Sequence, residues 1–179
     1  GCSANCAYCG LQRMREGSYE RKSFIRVPWP AVSLEEIIER SQGRAEDVKR
    51  ICLSMITHGR AVQDSMTILQ RLHSALPQVP LSLLCAPTLL KKKHLEMYKG
   101  IPVDRLGIAV DAATPEIFDR LRGSGVKGPH RWDRYWELFH QAVNVFGPDR
   151  VGIHLIVGLG ETEEEMIRTC SVRPLRKNM

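Results

Sequence analysis

Arg105-Leu106-Gly107-Ile108-Ala109-Val110-Asp111-Ala112-Ala113-Thr114-Pro115-Glu116 carries the reading of the fold. Leu106, Ile108 and Val110 alternate along the run from Arg105 to Asp111, the period of a β-strand. Thr114 then stands as a helix cap with Pro115 in the first turn, where a missing N–H costs nothing. A strand thus passes into a helix through a very short loop, and Asp111 marks the junction.

Working outward, the same alternation repeats. Upstream, Asp47 to Thr57 holds Val48, Ile51, Cys52, Leu53, Met55 and Ile56, a run suited to a buried strand. Val62, Met66, Leu69, Leu72 and Leu76 follow at steps of three and four, the spacing of an amphipathic helix. Pro80 to Pro87 encloses Leu81, Leu83, Leu84 and Cys85, a second buried strand, and Leu89 to Tyr98 reads as a helix ending at Gly100. Downstream, Trp132, Trp136, Phe139, Val143 and Phe146 line one face of a long helix. Val151 to Val157 is a further strand, and Thr162 with Glu163, Glu164 and Glu165 opens a last helix. Nearest the start, Ser33 and Glu36 form a capping box for a helix with Leu34, Ile37 and Ile38 on its apolar face. Residues 1–32, including Trp29 between Pro28 and Pro30, read as loop. Strands alternating with helices require a parallel sheet with crossover connections. The expected fold class is therefore α/β, an incomplete (β/α) barrel: four strands are visible, a further one is expected before Gly1, and a closed barrel takes about 250 residues.

Composition narrows the function classes. The 179 residues carry 26 Lys+Arg against 20 Asp+Glu, a net charge of +6, and 43% are hydrophobic, enough for one packed domain. No apolar run approaches the ~18 residues of a membrane span, and no secretory leader is visible, so membrane and collagen-like classes are excluded. Lys91-Lys92-Lys93 reads as a solvated helix face, and no coherent basic patch accompanies a nucleic-acid motif. The start at Gly1 and the basic close Pro174-Leu175-Arg176-Lys177-Asn178-Met179 suggest a fragment: residues 1–169 as part of a core domain, residues 170–179 as an aberrant or truncated tail.

Three of the six cysteines fall in Cys2-Ser3-Ala4-Asn5-Cys6-Ala7-Tyr8-Cys9. Disulfides inside so tight a run are geometrically awkward, and a reducing, cytoplasmic setting with metal ligation fits better. Thiolates are soft ligands for zinc or iron–sulfur centres. Three on one loop can hold three irons of a cubane and leave the fourth open to a non-protein ligand. Zinc, or plain loop cysteines, is the alternative, although zinc wants a fourth ligand that the spacing does not supply.

At these residues the chain resembles the radical S-adenosylmethionine (radical SAM) superfamily, whose signature is three cysteines spaced three and two apart with an aromatic, here Tyr8, before the third. The resemblance implies a radical SAM barrel, a 4Fe–4S cluster on Cys2, Cys6 and Cys9, and S-adenosylmethionine chelated to the open iron. One electron then cleaves the sulfonium to a 5′-deoxyadenosyl radical that abstracts hydrogen from substrate. Ile156-Val157-Gly158-Leu159-Gly160-Glu161 matches the family's G-x-I-x-G-x-x-E strand end at Ile156, Gly158 and Glu161, where backbone and Ile contact adenine; His154 stands in place of the first glycine. In the biotin synthase-like branch an Asp placed as Asp111 binds the ribose or methionyl part of the cofactor, a role that stands beside that of a solvated helix-entry residue. His130 lies where that branch often has a His or Arg, a candidate for the cofactor carboxylate or else a surface residue.

The same branch carries strand cysteines that hold an auxiliary, sacrificial iron–sulfur cluster. Cys52 and Cys85 occupy two such strand contexts, and His154 would complete the set; small core hydrophobes are the alternative. The resemblance to biotin and lipoyl synthases implies sulfur insertion into an unactivated C–H bond of a small-molecule or carrier-protein-bound substrate, with a ferredoxin- or flavodoxin-type electron donor. A mutase, lyase or maturase of methylornithine synthase type, and an inactive truncated iron–sulfur protein, are the other readings.

Overall fold

The computed structural model describes residues 1–14 and 31–171. Four strands form one sheet, β1 (Ile51–Ser54), β2 (Leu81–Cys85), β3 (Val103–Asp111) and β4 (Val151–Leu155), all parallel and in the spatial order β1-β2-β3-β4. Helix α1 (Leu34–Gln42) precedes the sheet. Helices α2 (Ala61–Ala75) and α3 (Lys92–Gly100) connect the first three strands, α4 (Pro115–Arg122) and α5 (Trp132–Phe146) connect β3 to β4, and α6 (Glu163–Cys170) follows. Chain order equals spatial order, so the sheet is an open arc of a (β/α) barrel, the expected fold.

The two faces of the arc differ. Leu81, Leu83 and Cys85 of β2 and Leu106, Ile108 and Val110 of β3 are buried against α2, α3 and α5, with Leu69, Leu95, Tyr98, Tyr135 and Leu138 at the centre of the packing. Each such side chain contributes about 1.5–3 kcal/mol by leaving water. On the other face the register runs Ser54, Leu84, Gly107, Gly152 across the four strands. That face is open: a shallow cavity of about 370 Å³ lies on it, lined by Cys52, Ser82, Leu84, Gly107, Gly152 and His154 among others.

Several sequence expectations are adjusted. β1 is an edge strand rather than a buried one: Ile51 and Leu53 are half-buried, Cys52 and Ser54 exposed. In α1 the Ser33 hydroxyl accepts from the Glu36 N–H at 3.1 Å, but the Glu36 carboxylate pairs with Arg40, and Ile37 is exposed while Leu34 and Ile38 pack on the core. The third helix begins at Lys92, after a 3₁₀ turn over Pro87–Leu89, because Leu90 is drawn into the core. Its lysine run is exposed, as expected. The buried stripe of α5 is Tyr135, Leu138, Phe139, Ala142 and Phe146, and Trp132, Trp136 and Val143 flank it half-buried. β4 ends at Leu155, leaving Val157 79% exposed. Thr114 caps α4, accepting from Ile117 N–H, and Thr162 and Glu165 form a complete capping box on α6. Pro28, Trp29, Pro30 and the basic close of the chain lie outside the described residues. Among the described residues no helix is long and apolar enough to cross a membrane.

Candidate functional site

The cysteine loop sits over the C-terminal ends of the strands, where strand-to-helix loops gather. Ser3 donates to the Thr57 carbonyl beyond β1 through both N–H (2.6 Å) and hydroxyl (2.8 Å). Ala7 N–H donates to Leu121 O at the end of α4 (2.8 Å), and the Asn5 amide to Val126 O (2.9 Å). A tight turn closes on Cys9 N–H to Cys6 O (3.0 Å), and Leu11 N–H points at Cys9 Sγ (3.4 Å). Burial pushes the Cys6 thiol up to about 11, helped by the charges of Cys9 and Cys2. Burial also raises Cys9, although the Leu11 amide opposes it. The three sulfurs therefore sense one another, and burial alone favours the neutral thiol at Cys6 and Cys9. Among the described residues no three His, Cys, Asp or Glu side chains converge on a single-ion position. Three soft donors on one loop are the donor set that three irons of a cubane take, one apiece.

Tyr8, between Cys6 and Cys9, donates its hydroxyl to Asp111 Oδ2 at 2.7 Å; burial raises the phenol and keeps it neutral. Asp111 ends β3 with a left-handed φ of 65°, beside a register shift between Ala109 and Asp111. The bulge turns its carboxylate towards the loop, and its carbonyl accepts from Ile156 N–H (2.8 Å), tying β3 to the end of β4. Arg122 Nη1 meets Asp111 Oδ2 at 2.7 Å, and His154 Nδ1 meets Oδ1 at 3.0 Å.

Arg122 is only 4% exposed. It donates to Ala109 O (2.6 Å), Val110 O (2.9 Å) and the Tyr135 hydroxyl (3.0 Å), and the Phe118 and Tyr135 rings flank its guanidinium at 5.1 and 4.8 Å. Burial works to lower its pKa; Tyr135, Asp111 and Tyr8 outweigh that and raise it. Tyr135 in turn meets His130 Nδ1 at 3.0 Å, which also lies 2.6 Å from the Thr88 hydroxyl. His130 is buried, not a surface residue. Burial first, and the Arg122 charge second, hold it down to about 3, so it is a neutral imidazole.

The strand-end motif forms two glycine turns, with φ of 93° at Gly158 and 111° at Gly160, conformations that favour glycine. Glu161 shapes them: its carboxylate accepts from Gly158 N–H (2.6 Å) and Leu159 N–H (2.9 Å), and the first of these bonds lowers its pKa. Ile156 is half-buried and Gly158 exposed on the same end of the sheet as Asp111.

The structure thus brings Tyr8, Asp111 and His154 together over the cysteine loop and seats His130 deeper. It separates the proposed auxiliary ligands. Cys52 pairs with Ser82 and faces the open side, whereas Cys85 shares the helix side with Leu81 and Leu83. Cys85 is fully buried, donates to Gly107 O (3.2 Å) and is pushed up to about 12 by burial, the state of a core thiol. His154 stands two strands beyond β2, at the opposite end of the open face from Cys52. No auxiliary cluster on Cys52, Cys85 and His154 is compatible with this sheet, because Cys85 lies an odd step of three positions beyond Ser82, the partner of Cys52, and so points to the other face.

Sequence reasoning missed Arg122, Tyr135, Thr88 and the docking amide of Asn5. An arginine in the last turn of an amphipathic helix looks solvated from sequence, and only the glycine-rich Gly123-Ser124-Gly125 after it hinted at a close approach of chains.

The family model for the Radical SAM superfamily matches residues 1–172. Among solved structures, the fold is similar to the FeFe-hydrogenase maturase HydG from Carboxydothermus hydrogenoformans, with 19% identity, TM-score 0.63, and coverage of 89% of this chain and 35% of that one. A second HydG structure, described as a maturase of the FeFe-hydrogenase, gives 15% identity, TM-score 0.70, and coverage of 94% of this chain and 35% of that one. This chain therefore spans about a third of the length of those two structures. The comparison with curated proteins gave no match.

Proposed function

This chain belongs to the radical SAM superfamily, and from that premise we propose that it is part of the core of an enzyme in which Cys2, Cys6 and Cys9 hold the 4Fe–4S cluster and the strand ends around Asp111, Ile156 and Gly158 hold S-adenosylmethionine. Membership implies both cofactors, and together they supply reductive cleavage to a hydrogen-abstracting 5′-deoxyadenosyl radical. The observation that carries the assignment is the Tyr8–Asp111 hydrogen bond, which locks the middle of the cysteine loop to the end of β3 where the glycine turn of β4 also arrives.

The chain's own residues then divide the work. The loop offers three thiolates and a backbone amide at Cys9 Sγ. Arg122 holds the Asp111 carboxylate in place from below. Glu161 fixes the glycine turn so that its exposed backbone faces the site. His130, neutral and enclosed, keeps Tyr135 aligned under Arg122 and offers no positive charge to a cofactor carboxylate.

For the reaction itself, the arrangement supports hydrogen abstraction followed by cleavage or rearrangement, the mutase, lyase or maturase reading, over sulfur insertion from Cys52 and Cys85, which face opposite sides of the sheet. Residues 1–169 form the part of the core in question; a small-molecule or carrier-bound substrate and a one-electron donor remain part of the proposal. Anaerobic reconstitution with iron and sulfide tests it: about four irons per chain are expected, lost in the Cys2→Ala, Cys6→Ala, Cys9→Ala variant, with a reduced-cluster resonance that changes on addition of S-adenosylmethionine. Stoichiometric zinc without iron, or a resonance indifferent to S-adenosylmethionine, overturns the reading.

A further inference from the structure

His154 is the departure from the superfamily pattern that the function above leaves unused. It takes the place of a glycine, projects from β4 on the open side of the sheet, and its side chain is 46% exposed. Its Nδ1 lies 3.0 Å from Asp111 Oδ1, so the ring is oriented by the same carboxylate that receives Tyr8 from the cysteine loop. Among the described residues Nε2 has no hydrogen-bond partner, and the ring borders the open-face cavity at its upper end, above Gly152.

Counting acceptors on Asp111 shows what this does. A carboxylate offers about four lone-pair positions. Tyr8 and Arg122 occupy Oδ2 and His154 occupies one position on Oδ1, which leaves one. A ribose diol presents two hydroxyls, and Asp111 alone accommodates one of them.

We propose that His154 belongs to the nucleotide pocket, its Nε2 taking one ribose hydroxyl of S-adenosylmethionine while the free position of Asp111 accepts the other. This rests on the function proposed above and assigns a contact that glycine at this position cannot make. The Asp111 hydrogen bond raises the His154 pKa; with Nδ1–H given to Asp111, Nε2 of the neutral ring accepts from a ribose hydroxyl, and the protonated ring donates to its oxygen. The exposed side chain also means that replacing it disturbs little of the fold.

The reconstituted protein, titrated anaerobically with S-adenosylhomocysteine and with its 2′-deoxy and 3′-deoxy forms, tests the assignment by heat of binding. His154→Ala should bind S-adenosylhomocysteine about tenfold more weakly than the unaltered chain, the loss expected for one hydrogen bond. It should also cease to distinguish one of the two deoxy forms, while His154→Gln recovers part of both. The His154 Nε2 resonance should shift when ligand binds. Equal affinity in His154→Ala with thermal stability unchanged, or undiminished discrimination between the deoxy forms, overturns the proposal and points to a role for His154 towards substrate. Failure of the unaltered, four-iron chain to bind S-adenosylmethionine or S-adenosylhomocysteine overturns the function on which it rests and so is told apart from failure of the His154 contact alone.

Discussion

Replacing Arg122 by Met removes the one full positive charge that faces Asp111 inside the core. The side chain is 4% exposed and the Asp111 side chain 11%, so neither charge is screened by much water. The change deletes the 2.7 Å ion pair, two hydrogen bonds to the β3 carbonyls and one to the Tyr135 hydroxyl. Asp111 would retain Tyr8 and His154, two donors for a carboxylate left without its counter-charge. Breaking a buried pair in this way costs about 3–5 kcal/mol, a large share of the about 5–15 kcal/mol that holds a domain together. The orphaned Arg122 Nε, buried without a partner in the native chain, offsets a little of that, since Met has no such group to satisfy.

The assay is urea unfolding of the cluster-free chain under anaerobic, reducing conditions, followed by circular dichroism, for Arg122→Met, Asp111→Asn and the double variant. Asp111→Asn removes the charge that Met leaves stranded. The double variant should therefore be more stable than the sum of the single losses by about 0.5–3 kcal/mol, the range for residues in direct contact. Losses that add to within about 0.5 kcal/mol would refute the reasoning, because they would mean that the two charges do not sense each other through the core.

Three further outcomes follow from the same network. His130 has its folded pKa held below the usual histidine value, to about 3, so its contribution to stability is present above pH ~6.5 and is lost as pH falls towards 3; between pH 7 and 5 this amounts to about 2 kcal/mol, and His130→Gln should flatten that part of the unfolding profile. Cys85, fully buried and pushed up to about 12, should resist iodoacetamide at pH 8 in the native chain while exposed Cys52 and Cys170 react, read by mass spectrometry of peptides; equal labelling would contradict its core position. Glu161→Ala should release the Gly158 and Leu159 amides that its carboxylate holds, seen as faster hydrogen exchange at those two residues with α6 amides unchanged.

The fold was legible in the sequence where a single physical signal acted alone. The Thr114-Pro115 and Thr162–Glu165 caps and the 3.6-residue period of α2 are local effects, and each element formed where its residues pointed. The signals failed where neighbours decided. Cys52 and Cys85 both sit in apolar runs, but which face each takes depends on the register of β1 on β2 and on the parity of spacing along β2, neither visible in hydrophobicity. The α5 stripe was displaced because Tyr135 and Leu138 serve the network and the core beneath it, while the bulkier Trp132 and Trp136 fit only at the flank. In the site, the Gly158 turn was readable because turn geometry demands glycine at a particular spacing. Arg122 was not readable, since its role depends on a partner 11 residues away that is turned inward by a bulge.

That bulge explains why the network must be complete to be useful. A non-glycine residue at φ 65° costs about 1–2 kcal/mol against the ordinary backbone, and a bulge forgoes a regular ladder bond. Asp111 stays there because three side-chain donors from three separate places, the cysteine loop, α4 and β4, converge on its carboxylate, and because Ile156 N–H takes its carbonyl. The cysteine loop is anchored at its start by Ser3, then by Asn5, and between Cys6 and Cys9 by the Ala7 amide on Leu121 O and the Tyr8 hydroxyl on Asp111. Strain at Asp111 and order in the loop are therefore linked: losing the buried Arg122 pair removes the main hold on the carboxylate to which the Tyr8 hydroxyl is bonded. Arg122 thereby reaches the loop that carries the three thiols through two contacts, the Asp111 carboxylate and the Tyr8 hydroxyl.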